Sequence, residues 1–265
     1  MLKFMKITGS GNDFVLLNNL DGKIRNRSKL AIELCRYKYG IGADGAIFLE
    51  KSRKADYKMR IFNSDGSEAE MCGNGLRCLI RFIHEQKISK KTSFLIETLA
   101  GIYETHFNKP EVSIRMFLVK EPCLNVSVDV EGEKILLHML NTGVPHAVII
   151  TDDIDNAPVV KYGKLIRYHR VFQPSGTNVD WLEIIDKHHG RVRTYERGVE
   201  DETLACGTGI VASVLCGAML GKFTSPVEIV ARSGEKLTVS FSDDFKEIFF
   251  KGGTRVIFEG KWINR

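Results

Sequence analysis

Two stretches of the chain are almost wholly apolar on every side: LRCLIRFIHE from Leu76 and IVASVLCGAML from Ile210. Over more than two turns, that pattern is the mark of a helix buried in a core. Each run follows a cysteine and a Gly-x-Gly step, Met71-Cys72-Gly73-Asn74-Gly75 and Ala205-Cys206-Gly207-Thr208-Gly209. Each cysteine is therefore expected where a buried helix begins, beside free backbone N–H groups and the positive end of the dipole. Such a place binds anions and favours thiolate over thiol. Elsewhere the pattern alternates. Residues 2–8 and 14–18 predict strands around the turn Gly9-Ser10-Gly11-Asn12-Asp13. Ser28 is expected to cap a helix to about Tyr37, with Leu30, Leu34 and Tyr37 on one face. Strands are expected at 46–49 and 57–62, and a meander at 94–98, 102–107 and 112–117.

The second half repeats the first. Cys72 and Cys206 lie 134 residues apart; Gly42 and Gly176 precede them by 30 residues each, and Asn63 and Arg197 by nine. Gly11 and Gly143 precede by 61 and 63, while Gly101 and Gly234 follow by 29 and 28. Five matched spacings in one order predict a duplicated domain with a boundary near Phe117–Pro122. A helix apolar all round needs cover all round, and strand is the abundant cover. The expected class is α+β: two pseudo-symmetric domains, 1–118 and 119–252, each a mixed sheet or flattened barrel around a buried helix. The active site is expected in the cleft between them.

Composition narrows the function. Of 265 residues, 43% are hydrophobic and 27% charged, the balance of a soluble globular protein. The net charge of +5 comes without a long basic run, so neither nucleic acid nor membrane is an expected partner, and a small anionic substrate is. The N-terminus MLKFMKITGSGNDF has no signal-peptide core, and the six cysteines form no C-x-x-C pair or zinc spacing. Reduced thiols in a cytoplasm, and no metal, are the expectation.

Two acid/base groups approaching one carbon from opposite faces can invert it, one taking the proton and the other returning one. A thiolate and a thiol at two anion-binding helix starts fit that demand, because the carbanionic transition state of an amino acid needs electrostatic help. The pair would titrate as a unit.

The motifs GSGNDF (9–14), GIGADG (40–45), FNSDGSEAEMCGNGLRC (62–78), NTGVPH (141–146), PSGTNV (174–179) and YERGVEDETLACGTG (195–209) together resemble the diaminopimelate epimerases over nearly the whole chain. The resemblance implies conversion of LL-2,6-diaminopimelate to the meso form for lysine and peptidoglycan precursors, without pyridoxal phosphate or metal. It implies Cys72 and Cys206 as the acid/base thiols, tuned by His146 and Glu196. Gly73, Asn74, Gly207 and Thr208 would hold the reacting α-carboxylate through backbone N–H groups. Asn12, Asn63, Asn178, Glu196 and Arg197 would hold the distal end. In this family the C-terminal segment crosses back, so 253–265 would complete the first domain, and Phe258 aligns with a dimer contact, implying a homodimer. The sequence departs from the family at Gly45 and Val144, which stand where a glutamine and an asparagine are usual. That predicts a less demanding distal pocket.

The remaining cysteines, 35, 78, 123 and 216, are expected to be inert and buried. Asp65 and Glu68 are expected in a turn and cap, and Glu200-Asp201-Glu202 in a loop. Two other readings stay open: a broader amino acid racemase, acting for example on glutamate, and a thiol-based redox sensor.

Overall fold

The computed structural model describes residues 1–263. The chain divides into two compact units, one of residues 1–115 with the segment from Lys251 onward, the other Met116–Phe250. The expected crossing at 253–265 includes residues 264 and 265, which lie outside the described residues.

In the first unit, β1 (Leu2–Gly9) and β2 (Asn12–Asn18) form a hairpin, followed by α1 (Arg27–Cys35), β3 (Gly45–Glu50), β4 (Tyr57–Asn63) and the short β5 (Glu68–Ala69). Helix α2 (Gly73–Glu85) and the meander β6 (Ser93–Thr98), β7 (Gly101–Asn108) and β8 (Glu111–Met116) complete the run. The pairing is antiparallel β1–β2, parallel β2–β3, antiparallel β3–β4 and β4–β5, parallel β4–β6, and antiparallel β6–β7.

The second unit runs β9 (Cys123–Val130), β10 (Glu133–Asn141), β11 (Pro145–Ile150), α3 (Val159–Arg167), β12 (Asn178–Ile184), β13 (His189–Glu196) and β14 (Asp201–Thr203). It ends with α4 (Gly207–Met219), β15 (Val227–Ala231), β16 (Lys236–Phe241) and β17 (Ile248–Gly253). From β10 onward its pairings repeat those of the first unit, parallel for parallel and antiparallel for antiparallel. Only the strand flanking each hairpin differs in origin. In the second unit it is β9, just upstream of β10; in the first it is β18 (Arg255–Trp262), which returns from the far end of the chain to β1. The recurring glycines keep their conformation too: Gly42 and Gly176 have φ of 74° and 65°.

Successive side chains of a strand point to opposite faces of the sheet, and here both faces are covered. In β3, Ala46 and Phe48 pack with Leu30, Ala31 and Leu34 of α1, while Ile47 meets α2 at Gly75. In β12, Val179 and Trp181 join Val159 and Ile166 of α3, while Asp180 reaches α4 at Gly209. Each long helix is buried, α2 from Asn74 to Ile83 and α4 from Gly209 to Gly217. Yet α2 is not apolar throughout: Arg77 is fully buried, and Arg81 nearly so, paired with Glu85 at 2.8 Å.

Five local expectations need correction. Helix α1 is capped by Asn26, whose Oδ1 accepts from Lys29 N at 3.1 Å; Ser28 instead donates to Gly66 O at 2.7 Å. Asparagine caps as well as serine, and it comes first in the chain. The helix stops at Cys35 because Arg36 is extended, leaving Tyr37 exposed. Residues 201–203 form β14 against β13, where Glu202 takes two hydrogen bonds from Arg193. Glu68 lies in β5 and is bound to Arg60. Cys123 is exposed, unlike Cys35, Cys78 and Cys216. Burial pushes the Cys35 and Cys216 thiols up to about 12, as expected of inert residues.

Candidate functional site

The first half-site forms where β4 ends. Asp65 builds a tight turn by accepting from Ser67 N at 2.8 Å and Ser67 Oγ at 2.6 Å, contacts that hold its carboxyl below the usual range. This turn leaves Asn63 exposed, its amide donating to Ser67 Oγ at 3.0 Å. Cys72 then takes an extended conformation, φ −143° and ψ 117°, as the N-cap of α2. Its Sγ accepts from Gly75 N at 3.4 Å, and its carbonyl accepts the first helical bond from Leu76 N at 2.8 Å. The N–H groups of Gly73 and Asn74 belong to the first turn, which has no intrahelical acceptors. Asn74 is buried; its Nδ2 donates to Asn12 Oδ1 at 2.8 Å, and Asn12 Nδ2 donates to Asp44 Oδ2 at 3.0 Å. The hairpin turn and the start of α2 are thus tied together.

The second half-site repeats the plan with other neighbours. Cys206, at φ −111° and ψ 107°, is the N-cap of α4 and is buried. Its Sγ makes no capping hydrogen bond and lies 3.5 Å from Thr208 Oγ1. Thr208 O accepts from Thr142 Oγ1 at 3.0 Å, which anchors the β10–β11 turn to the helix start. Burial pushes the Cys206 thiol well up, and the carboxylates of Glu196 and Asp180 push the same way. Glu196, the last residue of β13, is itself raised by burial, with Thr203 and His146 opposing. His146 and Asp180 are both fully buried, joined Nδ1 to Oδ2 at 2.7 Å, and Asp180 Oδ1 accepts from Thr194 Oγ1 at 2.7 Å. Among the described residues, His146 Nε2 has no hydrogen-bond partner. Asn178 is buried; its amide donates to Pro145 O at 3.0 Å and accepts from Arg197 N at 2.8 Å. Arg197 is half-buried and spends one N–H on Ser175 O at 3.0 Å. A cavity of about 250 Å³ in this unit is bounded in part by Asn141, Pro145, His146, Ser175 and Thr177.

A sequence model of the diaminopimelate epimerases matches residues 4–117 and 138–257. The diaminopimelate epimerase of Aquifex aeolicus is 40% identical, with 98% of this chain and 97% of the relative covered. This chain belongs to the diaminopimelate epimerase family. The enzyme of that name from Archaeoglobus fulgidus is 38% identical over 98% of this chain and 95% of its own length. Among solved structures, a PhzF-family phenazine biosynthesis protein of Bacillus anthracis shares the fold at a TM-score of 0.73 and 15% identity, covering 99% of each chain. A hydroxyproline epimerase of Agrobacterium vitis does so at 0.71 and 15%, covering 98% of this chain and 91% of its own.

Placed in the diaminopimelate epimerase family, the motif residues fall into two groups. Cys72, Gly73, Asn74, Asn12 and Asn63 gather in the first unit; Cys206, Gly207, Thr208, His146, Asn178, Glu196 and Arg197 gather in the second. The departure at Gly45 has a packing cause. Gly45 is buried opposite Asn63 in the β3–β4 pair, and a Cβ there would stand 2.7 Å from Phe62 O and 3.4 Å from the Phe14 ring. Glycine is what lets these strands close, so an amide cannot be restored at 45 without moving them. The sequence reading passed over Asp180, which lies at the centre of the Cys206 group. The signal was present: a lone carboxylate inside the apolar strand NVDWLEI. Arg77, a charge inside a buried helix, is the corresponding omission in the first unit.

Proposed function

We propose that this chain is a cofactor-independent isomerase inverting one α-carbon of LL-2,6-diaminopimelate to the meso form, with Cys72 and Cys206 as its two acid/base groups. The observation that carries this reading is the equivalence of the two cysteines. Each is the N-cap of a buried helix, at the same place in a repeated strand plan.

In the forward direction a thiolate removes the α-proton, and the electron pair stays on carbon as a carbanion conjugated with the carboxylate. The opposite thiol gives its proton to the other face and becomes the thiolate. Helix-start N–H groups of Gly73, Asn74, Gly207 and Thr208 face the growing negative charge, where fixed dipoles in a dry site stabilise it most. Arg197 has N–H donors besides the one on Ser175 O to offer a distal carboxylate, and Glu196 can accept from the distal ammonium. Glu196 and His146 also set the charge around the thiol of Cys206, with Asp180 holding His146 by Nδ1.

The chain is read as a cytoplasmic homodimer acting on a small amino acid, without nucleic acid or membrane as partner. No helix among the described residues is long and apolar enough to cross a membrane. Phe258, 43% exposed on β18 and edge-on to Phe4, suits a dimer contact; sedimentation of wild type and Phe258→Ser checks it, a monomeric wild type refuting it. The function itself is tested by assaying reduced enzyme on LL-2,6-diaminopimelate and on L-glutamate, with and without chelator. Conversion of the first, unaffected by chelator, is expected; turnover of glutamate alone would replace the substrate.

A further inference from the structure

A chain of hydrogen bonds with a fixed direction runs through the first half-site. It starts at Arg77, fully buried in α2 one turn after Asn74 and so on the same helix face. Arg77 Nη2 donates to Ser10 Oγ at 2.5 Å and to Asn74 Oδ1 at 2.9 Å. Asn74 Nδ2 donates onward to Asn12 Oδ1, and Asn12 Nδ2 to Asp44 Oδ2. Ser10, buried at the left-handed φ of 55°, holds its hydroxyl against the guanidinium.

An asparagine amide has nearly the same shape when its oxygen and nitrogen are exchanged, so packing alone does not set its direction. The two ends of this chain do. A guanidinium only donates and a carboxylate only accepts. Turning Asn74 alone sets NH₂ against Arg77 and oxygen against oxygen at Asn12. Turning both amides together repairs the middle contact but leaves NH₂ facing Arg77 and an oxygen facing Asp44. Every alternative strands at least one buried or charged group, the costly case for a hydrogen bond.

We propose that Arg77 and Asp44 are positioning residues that fix, from opposite ends, the direction of the Asn74 and Asn12 amides. Asn12 then presents one N–H and one lone pair in set places to the polar end of an amino acid substrate. This deepens the function proposed above and rests on it for the role of Asn12, while the amide order itself does not.

Asp44→Ala tests it with little risk to folding, because Asp44 is exposed. Asp44 Oδ2 also accepts from Asp13 N at 3.1 Å, so only removal of the carboxylate leaves Asn12 Nδ2 without that acceptor and frees its direction. Expected is a KM for LL-2,6-diaminopimelate raised about tenfold with kcat within about twofold, the mark of lost uniform binding. Arg77→Gln should do the same or more, since its amide accepts as well as donates and no longer demands the Asn74 oxygen. Side-chain amide resonances of ¹⁵N-asparagine-labelled enzyme, recorded without substrate, supply the second readout. Wild type should show slowly exchanging Asn12 and Asn74 NH₂ pairs, and Asp44→Ala should lose that protection at Asn12 while Tm holds. Unchanged resonances and KM in both variants would overturn the proposal, as would losses that follow Tm alone. A wild type inactive on diaminopimelate refutes the substrate, and the spectra still decide the positioning.

Discussion

Cys72 and Cys206 occupy the same N-cap position on equivalent helices, yet their surroundings diverge. Cys72 is half-exposed, its sulfur takes the Gly75 N–H, and the polar groups behind its helix turn are amides anchored on a guanidinium. Cys206 is buried, without that capping bond, and faces the Glu196 and Asp180 carboxylates. The backbone supplies both with the same dipole, and the neighbours decide what the dipole meets. Negative charge and burial favour the protonated thiol at Cys206.

The largest effect expected from breaking this comparison is loss of chemistry at either half. Cys72→Ala and Cys206→Ala should each lower inversion by at least about a hundredfold with the fold retained, because each thiol serves a different face of the carbon. Near-normal turnover by either variant, measured by coupled assay, would mean that one thiol suffices.

Stability sharpens the contrast next. The third helix residue is glycine in both halves, with different obstacles. A Cβ at 209 would collide with Asp180 Oδ1, which Thr194 holds in place, whereas at 75 it would meet two flexible isoleucine ends at 3.0 Å. Gly209→Ala should therefore cost about 1–3 kcal/mol, and Gly75→Ala clearly less. Denaturant unfolding of the two variants gives the order, and equal losses would contradict it.

The protonation contrast has its own signature. Because the folded Cys206 pKa is raised, the native state keeps a proton that the unfolded chain loses above about pH 8.5. Stability from this group is intact below that pH and falls as pH rises toward the folded value, by up to about 1.4 kcal/mol per pH unit. Cys206→Ala should flatten that part of the profile, while Cys35 and Cys216 contribute equally to both proteins. At neutral pH, iodoacetamide should modify Cys72 at least about tenfold faster than Cys206, with exposed Cys123 as an internal reference.

The smallest effect concerns the distal end. Arg197→Lys keeps the charge but loses the planar fork, so KM should rise severalfold with kcat little changed. Kinetically silent replacement would remove Arg197 as the carboxylate clamp.

What was legible in the sequence is what is local. A cysteine, two glycines and an apolar run specify a buried helix start, and repeating them 134 residues on specifies the duplication. The strands at 14–18 and 46–49 could be read because β2 and β3 are covered on both faces and form near-continuous apolar runs. What could not be read depends on partners distant in sequence. Asp180 matters because Gly209 lets it approach α4, and Gly45 is glycine because Phe62 O lies opposite. Likewise, Asn26 and Ser28 are both sound caps, and only the contact of Ser28 with Gly66 separates them.

The two-thiol claim is tested most directly by following LL-2,6-diaminopimelate with reduced enzyme in deuterated water, early in the reaction. Solvent deuterium exchanges onto the donor thiol, while the abstracted proton stays on the other sulfur. The account predicts meso product carrying deuterium at the inverted carbon, with recovered LL substrate still protiated. Product that keeps the original proton, or label entering substrate and product alike, would show a single base working both faces and would contradict it.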